Sequence, residues 1–259
     1  MPNNIAETFG LGKGNTQKNV ALFGVECEIE SCDLDETPCG DLTDLEIKED
    51  NSLRNDGKEF VWVGPKPLKH STEMFQNLHT TLRVHNREHK FSERTSTHVH
   101  VNCRGLSTDE TRTLVLLYAL YEELFFLCVD KERRDNIFCV ALTDTHLPAI
   151  YYSDINGFVS RWSKYTALNL KRLTDLGTVE FRHMQGTEDA LLFTQWLTLL
   201  ETLFHLSQKV TLTKDTLTEE NIQHWADTLF SHFGWYKYAR GDVFNIIENS
   251  LIDIKLSFV

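Results

Sequence analysis

The sequence predicts an α+β fold built on a largely antiparallel sheet. Strand-like and helix-like segments do not alternate strictly along the 259 residues, which disfavours a doubly wound parallel sheet. A turn at residues 55–57 leads into the β-rich stretch 58–63, which is typical of a hairpin. Hydrophobic residues make up 41% of the chain, and no Pro/Gly/Ser-rich linker interrupts its middle. We therefore expect one large domain over residues 20–259.

The predicted elements follow from capping residues, turn residues and hydrophobic periodicity. Residues 1–19 are polar and contain several glycines, so we expect a mobile leader there. A first strand spans residues 20–31, and the acidic residues 32–50 form a loop or a short strand pair. The later elements are a helix capped by Ser71 or Thr72 and running to about Glu88, a strand over 97–103, a helix opened by the capping box of Ser107 and Glu110 and running to about Val129, a strand over 178–184, a helix over 188–208, a helix from Thr218 to about Phe233 and a last short helix over 242–249.

The composition argues against several classes of protein. A net charge of −12 disfavours a general binder of nucleic acid or of anionic membranes, although it suits a protein that binds metal cations. The six cysteines form no CxxC pair, and Cys27, Cys103 and Cys128 fall at apolar positions of predicted elements, so we expect reduced thiols in a cytoplasmic protein. We expect no secretory signal in residues 1–18, and no apolar run is long enough to span a membrane.

The first strand carries a row of carboxylates. Alternation places Glu26, Glu28 and Glu30 on one face and apolar side chains on the other. Neighbouring carboxylates in such a row lie about 7 Å apart and repel each other by roughly 2 kcal/mol per pair at an effective dielectric constant near 20. A bound cation such as Mg²⁺ would offset this repulsion, whereas a sheet face open to solvent would tolerate it.

The later strands extend this polar row with different side chains. One places His98, His100 and Asn102 on a single face, which makes poor surface cover but a good set of ligands and hydrogen-bond donors. Another places Glu180 and Arg182 on one face, although such residues can also simply form ion pairs with charged side chains on neighbouring strands. If the polar faces converge, they form a carboxylate-rich metal site next to a guanidinium. That combination suits phosphoryl chemistry, because cations bridge phosphate oxygens and the arginine stabilises charge on the transferred group.

The order of these motifs resembles the amidoligase family, whose members are carboxylate–amine ligases related to glutamine synthetase and glutamate–cysteine ligase. The motifs are Gly-x-Glu-x-Glu at 24–28, Asp-x-Ser-Leu at 50–53, Gly-x-Glu at 57–59, Ser-x-His-Val-His-Val-Asn at 96–102, Leu-Asn at 168–169 and Gly-Thr-x-Glu-Phe-Arg at 177–182. The resemblance implies a glutamine-synthetase-like catalytic fold, a curved antiparallel sheet with helices packed on one face. It also implies that ATP and two or three Mg²⁺ ions, or Mn²⁺ in their place, bind at the other face.

The resemblance further implies roles for individual residues. The metal ligands would be Glu26, Glu28, Glu59, His98 and Glu180. The catalytic residues would be Arg182, His100 and Glu59. The residues in contact with the nucleotide would be His98, Asn102, Lys164, Tyr165, Asn169 and Arg182. Asp50 and Ser52 would shape the hairpin ahead of Glu59. Arg133 and Arg134 are either contacts for the substrate carboxylate or the nucleotide, or an exposed helix end.

The reaction implied by the family is ATP-dependent amide formation, in which a carboxylate is phosphorylated and an amine displaces the phosphate. We expect residues 32–50 or 143–160 to close over the acyl phosphate and exclude water. The substrates would be small-molecule or peptide carboxylates and amines. Membranes and bulk nucleic acid are not expected as partners, and the apolar helices over 114–128 and 191–204 leave a homo-oligomer open.

Three alternatives stay open at this stage. A metal hydrolase would bind Zn²⁺ through His98, His100 and a glutamate, but it leaves Glu180 and Arg182 without a role. A guanidino-kinase-like phosphotransferase would use the same polar face and release a stable phosphorylated product. A non-catalytic module would keep the fold and bind a partner, but it would need none of these acidic and basic side chains.

Overall fold

The structure is a computed structural model that describes residues 3–12, 14–32, 42–85, 88–142 and 154–258. Its strands are β1 Phe23–Ile29, β2 Leu45–Glu49, β3 Lys58–Trp62, β4 Ser96–Asn102, β5 Leu168–Asn169 and β6 Thr178–Gln185. They form one antiparallel sheet in the order β2-β3-β1-β4-β6-β5, which does not close into a barrel. The predicted α+β class and the antiparallel hairpin are confirmed.

The helices account for about half of the remaining described residues. They are α1 Ile5–Thr8, α2 Leu68–His85, α3 Thr108–Phe126, α4 Ile155–Arg161, α5 Ala190–Ser207, α6 Glu219–Phe230, α7 Tyr236–Ala239, α8 Val243–Ile246 and α9 Glu248–Leu256, with 3₁₀ turns at Lys131–Asp135, Lys171–Leu173 and Arg240–Asp242. None of the helices in the described ranges combines the length and the apolar composition needed to cross a membrane.

One face of the sheet is apolar and packs against helices. Val25, Val99 and Phe181, from three adjacent strands, are at most 1% exposed. The ring of Phe181 meets Tyr118 of α3 and Trp196 of α5 edge-on. Burying a side chain of this size stabilises the fold by about 1.5–3 kcal/mol. Because alternate side chains in a strand point to opposite faces, this burial leaves the polar side chains on the other face, as the sequence predicted.

A bulge in β6 lies next to the polar face. Thr97 pairs with Met184 and Val99 pairs with Phe181, so β6 has one residue more than β4 in this interval. The extra residue lets both Phe181 and Met184 enter the core, where neither is exposed. Arg182 follows Phe181 directly and so faces the polar side with Glu180 by ordinary alternation.

Capping residues set most of the helix starts as predicted. Ser107 and Glu110 form the capping box of α3, and Thr218 caps α6. The predicted cap at Ser71 or Thr72 is wrong, because α2 begins three residues earlier, at Leu68. The hydroxyl groups of both residues donate to carbonyl groups of the preceding turn, which they can do inside a helix as well as at its start.

The predicted last helix over 242–249 is also wrong in its extent. Helical turns instead run from Tyr236 to Leu256, with short breaks between α7, α8 and α9. Ile247 and Ile254 are not exposed to solvent. Their contact with the core explains why the chain stays helical beyond residue 249, since packing of an apolar face contributes most of the stability of a short helix.

Residues 1–19, predicted as a mobile leader, include a short helix that packs against the rest of the chain. Ile5 of α1 is fully buried, and its backbone N–H donates to the carbonyl of Leu106 at 2.9 Å. Further along, a Cβ at Gly105 would lie 2.1 Å from the carbonyl oxygen of Thr16. Only glycine allows the N-terminal segment to pass this close to the end of β4.

The two loops predicted to close over the site are only partly described. Residues 33–41 and 143–153 lie outside the described residues. The described remainder of these loops contributes β2 and the first residues of α4.

Candidate active site

The pairing of β1 with β4 brings the glutamate row next to the histidine row. Glu26 lies opposite His98, and Gly24 lies opposite His100. His98 Nδ1 is 3.5 Å from Glu26 Oε2, and His100 Nε2 is 3.3 Å from Glu26 Oε1. One carboxylate therefore lies between two imidazoles.

The pairing of β4 with β6 adds a second carboxylate and a guanidinium. Glu180 lies opposite His100, and its Oε1 atom is 3.6 Å from His98 Nδ1. Asn169 of β5 donates from Nδ2 to Glu180 Oε2 at 2.6 Å. The guanidinium of Arg182 donates to the other carboxylate oxygen. Glu180 is only 2% exposed, so these partners compensate for its lost hydration.

Glu26, His100 and Glu180 form a group with the spacing of metal ligands, which we call the central group. One ligand atom from each lies within 4.8 Å of the other two. His100 Nε2 is buried and makes no hydrogen bond to any described residue, while Nδ1 lies 3.0 Å from Thr178 Oγ1. A hydrogen bond at one ring nitrogen with the other directed at a ligand site is how proteins orient a metal-binding imidazole. The resemblance assigned metal binding to His98, whose Nδ1 lies 3.5 Å from Glu26 and 3.6 Å from Glu180 and whose Nε2 lies 2.7 Å from Ser96 Oγ, and that assignment stays a prediction.

A second group lies beside the first and consists of Glu28, Asp50 and Glu59, which we call the outer group. Its ligand atoms also lie within 4.8 Å of one another. Glu28 is held in place by Ser96, whose backbone N–H and hydroxyl donate to its Oε2 at 2.8 and 2.6 Å. Asp50, expected only to shape the hairpin, accepts a hydrogen bond from the backbone N–H of Ser52 and also belongs to this group.

The charges on this face are strongly coupled. Burial alone would raise the pKa of Glu26, but the close approach of the His100 and His98 imidazoles, at 3.3 and 3.5 Å, outweighs it and holds that pKa far below its usual range. Against the effect of burial, Glu26 in turn raises the pKa of His100. The pKa of Glu59 rises to about 7, first because of burial and then because of the charge on Glu26. A bound cation would replace the protons that these groups otherwise hold.

A cleft with four basic side chains opens on the β5–β6 side of the central group, and we call it the basic cleft. It has a volume of about 510 Å³ and is lined by Lys164, Tyr165, Asn169, Lys171, Arg172, Glu180 and Arg182. Arg172 NH1 is 2.9 Å from Asp175, and its Nε is 4.0 Å from Glu180. Lys164 lies over the ring of Tyr165 at 4.8 Å. Lysines and arginines converging on one cleft favour a polyanionic ligand such as a phosphate chain.

A second cleft also borders the central group, and we call it the N-terminal cleft because Asn15 lines it. Its volume is about 380 Å³, and its other lining residues include Glu26, Lys48, Trp62, His100 and Arg104. Both volumes fall in the range of about 300–1,000 Å³ that is usual for small-molecule sites. Glu26 and His100 line this cleft, whereas Glu180 lines the basic cleft. The central group therefore borders both clefts.

The sequence of this chain matches a known family over the part that contains both histidines. Residues 63–204 match the family described as "Putative amidoligase enzyme", and this range is more than half of the chain. The chain belongs to the amidoligase family. The resemblance inferred from the ordered motifs is thus confirmed. Comparison with curated proteins gives no match.

The amidoligase match covers one part of the site and not the other. His100, Glu180 and the residues of the basic cleft lie within residues 63–204, whereas Glu26, Glu28 and Glu59 precede them. The sheet joins the two parts, since β1 lies between β3 and β4 and places Glu28 opposite Glu59. The carboxylates therefore reach the histidine strand, which lies within the matched range, through strand pairing.

Two basic residues considered for the amidoligase site lie elsewhere. Arg133 is buried and donates to the backbone carbonyls of His183 and Arg182 at 2.9 and 2.7 Å. Arg134 pairs with Glu123 at the surface at 2.7 Å. Neither arginine lines the basic cleft or the N-terminal cleft. Arg133 supports the bulged part of β6 from which Arg182 projects.

Other residues of these clefts were missed in the sequence. Lys171 and Arg172 closely follow the Leu-Asn motif, and this basic pair was a usable signal. Lys48 and Arg104 carry no motif, and only the fold brings them to the N-terminal cleft. Asn102, whose assignment to the nucleotide stays a prediction, lines this cleft and donates to the carbonyl of Asn15 at 2.7 Å, which holds the N-terminal segment beside it.

A buried polar network lies behind β6 in the helix layer. The hydroxyl of Tyr118 donates to Glu122 Oε1 at 2.6 Å, and its oxygen lies 2.8 Å from His183 Nε2. The backbone N–H of Leu142 donates to the same carboxylate oxygen at 2.7 Å. Burial is the main reason that the pKa of Glu122 rises to about 7. Burial, helped by the charge of Arg133, lowers the pKa of His183 to about 3.

Proposed function

We propose that this chain is an ATP- and Mg²⁺-dependent ligase that joins a carboxylate to an amine, on a glutamine-synthetase-like catalytic fold. The proposal rests above all on the position of the central group and the outer group, side by side on one sheet face and next to the basic cleft. His98 lies between the groups, 3.5 Å from Glu26 and 4.0 Å from Glu28. Two adjacent cation sites beside guanidinium groups are an arrangement used for phosphoryl transfer.

The donor sets of both groups fit Mg²⁺. The outer group offers three carboxylates, and the central group offers two carboxylates and an imidazole. Mg²⁺ favours oxygen ligands and keeps positions for water and phosphate oxygens. Mn²⁺ accepts the same donors, and as a transition metal it can substitute at the site that includes the imidazole. When bound, the ions would neutralise phosphate charge and polarise the transferred group.

The basic cleft is our candidate for the triphosphate. Lys164, Lys171 and Arg172 line it, and Tyr165 and Asn169 lie beside them. Arg182 lies at the border with the central group, where it contacts Glu180. Its guanidinium is thus positioned to stabilise charge on a phosphoryl group held by the central ion, a role in which a lysine would supply only a point charge.

The N-terminal cleft is our candidate for the acid and the amine. It opens onto Glu26 and His100 and is lined by the cations Lys48 and Arg104. Because these two basic side chains lie outside the basic cleft, they are available to bind an acid with a second negative charge, such as a glutamate-like or peptide carboxylate. This assignment places the phosphate chain and the acceptor in different clefts that both border the central group.

The proposed reaction has two steps, phosphorylation of the acid and displacement of the phosphate by the amine. A carboxylate oxygen of the acid attacks the terminal phosphorus of ATP, the bond from that phosphorus to the ADP oxygen breaks, and an acyl phosphate forms. The amine nitrogen then attacks the acyl carbon, the bond from carbon to the phosphate oxygen breaks, and phosphate leaves with the electron pair. The nitrogen loses a proton to a base on the polar face, a role that we assign to Glu59, and the amide remains.

The thiols support a further expectation about the compartment. Cys27, Cys32, Cys103, Cys128 and Cys139 are buried and form no disulfide with one another. Buried thiols of this kind are typical of proteins that work in a reducing environment, so we expect this ligase to be cytoplasmic.

The direct test is a mass-spectrometric screen of the full chain with ATP and Mg²⁺ against mixed acids and amines. We expect ADP release that needs both substrates, together with a product equal in mass to acid plus amine minus water. ADP with a stable phosphorylated product and no amide would indicate a phosphotransferase instead. Hydrolysis without ATP by a zinc-loaded protein would indicate a hydrolase.

Nucleotide binding gives a second test that needs no substrate. Calorimetry is expected to detect ATP binding that depends on Mg²⁺ in the wild-type chain and is lost in Glu26→Gln. Glu73→Gln is the matched control, because Glu73 is an exposed carboxylate on α2. A wild-type chain that binds no nucleotide in the presence of Mg²⁺ would contradict the proposal.

A further inference from the structure

A third group of candidate metal ligands lies away from the polar face of the sheet. His79 belongs to α2, His89 follows that helix, and Glu188 lies just before α5. One ligand atom from each lies within 4.8 Å of the other two, and His89 Nε2 is 3.8 Å from Glu188 Oε2. Ligands bound to one tetrahedral ion at about 2.0–2.1 Å lie roughly 3.3 Å from each other. Side-chain rotation that shortens the longest distance between ligand atoms by about 1.5 Å would therefore let all three residues bind one ion.

His79 is an unusual core residue. It is only 3% exposed, and neither of its ring nitrogens has a hydrogen-bond partner among the described residues. Its ring lies 4.3 Å from the ring of Phe75 and 5.9 Å from that of Phe91. A buried polar group without a partner costs about 1–3 kcal/mol, so its presence calls for an explanation. A bound ligand that takes a lone pair of the imidazole supplies one.

We propose that His79, His89 and Glu188 bind a zinc ion at a site separate from the two groups on the sheet. Two imidazole nitrogens and one carboxylate oxygen form a donor set that Zn²⁺ uses when a water occupies its fourth position. Imidazole selects transition metals, whereas Mg²⁺ prefers oxygen ligands. The two imidazoles between the helices thus favour Zn²⁺, whereas the three carboxylates of the outer group on the sheet favour Mg²⁺.

The position of the site suggests what the ion does. α2 and α5 already meet through the stacked rings of Phe75 and Phe193, whose centroids are 4.0 Å apart. An ion held by His79 on one side and Glu188 on the other would tie α2 to the start of α5. Because an ion that binds only the folded state stabilises it, zinc should raise the unfolding temperature.

Arg83 also contacts the carboxylate of this group, with Nε 3.0 Å from Glu188 Oε2. A carboxylate oxygen can accept a hydrogen bond and also bind a metal, because each oxygen has two lone pairs. A second contact of this kind commonly orients a metal-binding carboxylate. The arginine is therefore compatible with the ion.

The test measures zinc binding by the full chain in competition with a chromophoric chelator. Millimolar Mg²⁺ is present so that it competes with zinc at the groups on the sheet. One zinc per chain is expected, and His89→Ala and Glu188→Gln should each weaken it by at least about tenfold, since even the loss of an outer partner of a ligand costs 10- to 100-fold. Co²⁺ in place of zinc should give visible absorption bands in the wild type that both variants lose.

The matched control is His70→Ala, which removes another imidazole from α2. His70 lies 3.3 Å from Asp44, but within the described ranges this pair has no third ligand. The control variant should keep the zinc and the cobalt bands, and so should Glu26→Gln. Zinc binding that survives Glu26→Gln would show that this site does not depend on the groups proposed for the ligase reaction.

A wild type that binds no zinc beside Mg²⁺ would overturn the proposal. So would unchanged zinc affinity and cobalt bands in both Glu188→Gln and His89→Ala. The side chain of Glu188 is 46% exposed, so its replacement should leave the fold intact and keep the test decisive even where the histidine variant is unstable.

Discussion

Replacing Glu122 by glutamine should change how the stability of this protein depends on pH. The carboxylate of Glu122 is 5% exposed and accepts hydrogen bonds from Tyr118 and from the backbone of Leu142. The oxygen of a glutamine side chain can accept the same two hydrogen bonds. The substitution therefore removes the ability to ionise while it keeps the size and the main contacts of the side chain.

The expected magnitude follows from the raised pKa. The pKa of Glu122 moves from 4.5 to about 7 on folding, mainly because of burial. Between these values the folded state holds a proton that the unfolded state has lost, so the free energy of unfolding falls as the pH rises through this window. At about 1.36 kcal/mol per pKa unit, the loss approaches roughly 3 kcal/mol at full ionisation. A side chain that cannot ionise does not lose this stability. The free energy of unfolding of Glu122→Gln, relative to that of the wild type, should therefore rise by up to about 3 kcal/mol between pH 5 and pH 8.

The assay is urea unfolding of both proteins at several pH values, followed by circular dichroism. Only the difference between the two proteins is used, because the titration of other groups, such as Glu59, cancels in it. The control is Glu123→Gln, which neutralises the neighbouring surface carboxylate that pairs with Arg134 and should change stability by at most about 1 kcal/mol. A difference between wild type and Glu122→Gln that stays constant from pH 5 to pH 8 would refute the reasoning.

Three further predictions concern the site and its surroundings. Glu180→Gln should abolish Mg·ATP-dependent turnover without changing the circular dichroism spectrum, and full activity in this variant would show that the site assignment is wrong. Arg182→Lys should lower turnover by roughly 100-fold or more, because a point charge replaces a directed donor at the transferred group, whereas steady-state kinetics of the surface control Arg134→Lys should match the wild type. Gly105→Ala would place a Cβ 2.1 Å from a backbone oxygen of the N-terminal segment, so limited proteolysis within residues 14–19 should accelerate. Gly234→Ala, with no described atom within 4 Å of the added Cβ, should leave the rate unchanged.

Local patterns allowed much of the fold to be predicted. The strands of the polar face were recognisable because alternation with period two depends only on neighbouring residues, and burial of Val25, Val99 and Phe181 agrees with it. The capping box at Ser107 was recognisable for the same reason, since it spans one turn of helix. The start of α2 was missed because Ser71 is of a residue type that favours caps while lying inside the helix.

The sequence predicted which strands carry the candidate site but not which of their side chains come into contact. The sequence named rows of ligands, yet it did not show which members of two rows would meet. Strand register places His98 opposite Glu26 and His100 opposite Glu180, and only the side-chain positions bring His100 into the central group with both carboxylates. Loop geometry after β2 decided that Asp50 joins the outer group.

By itself, the sequence determined the α+β class, the faces of the strands, the order of the family motifs and the residue types available for chemistry. These properties are local, because they depend on side-chain alternation and on short spacings along the chain. Only the tertiary structure decided which carboxylate lies against which imidazole, which cations line each cleft, and that His79, His89 and Glu188 meet. Those contacts join residues far apart in sequence, and they arise from strand register and helix packing, which no short segment of the chain encodes.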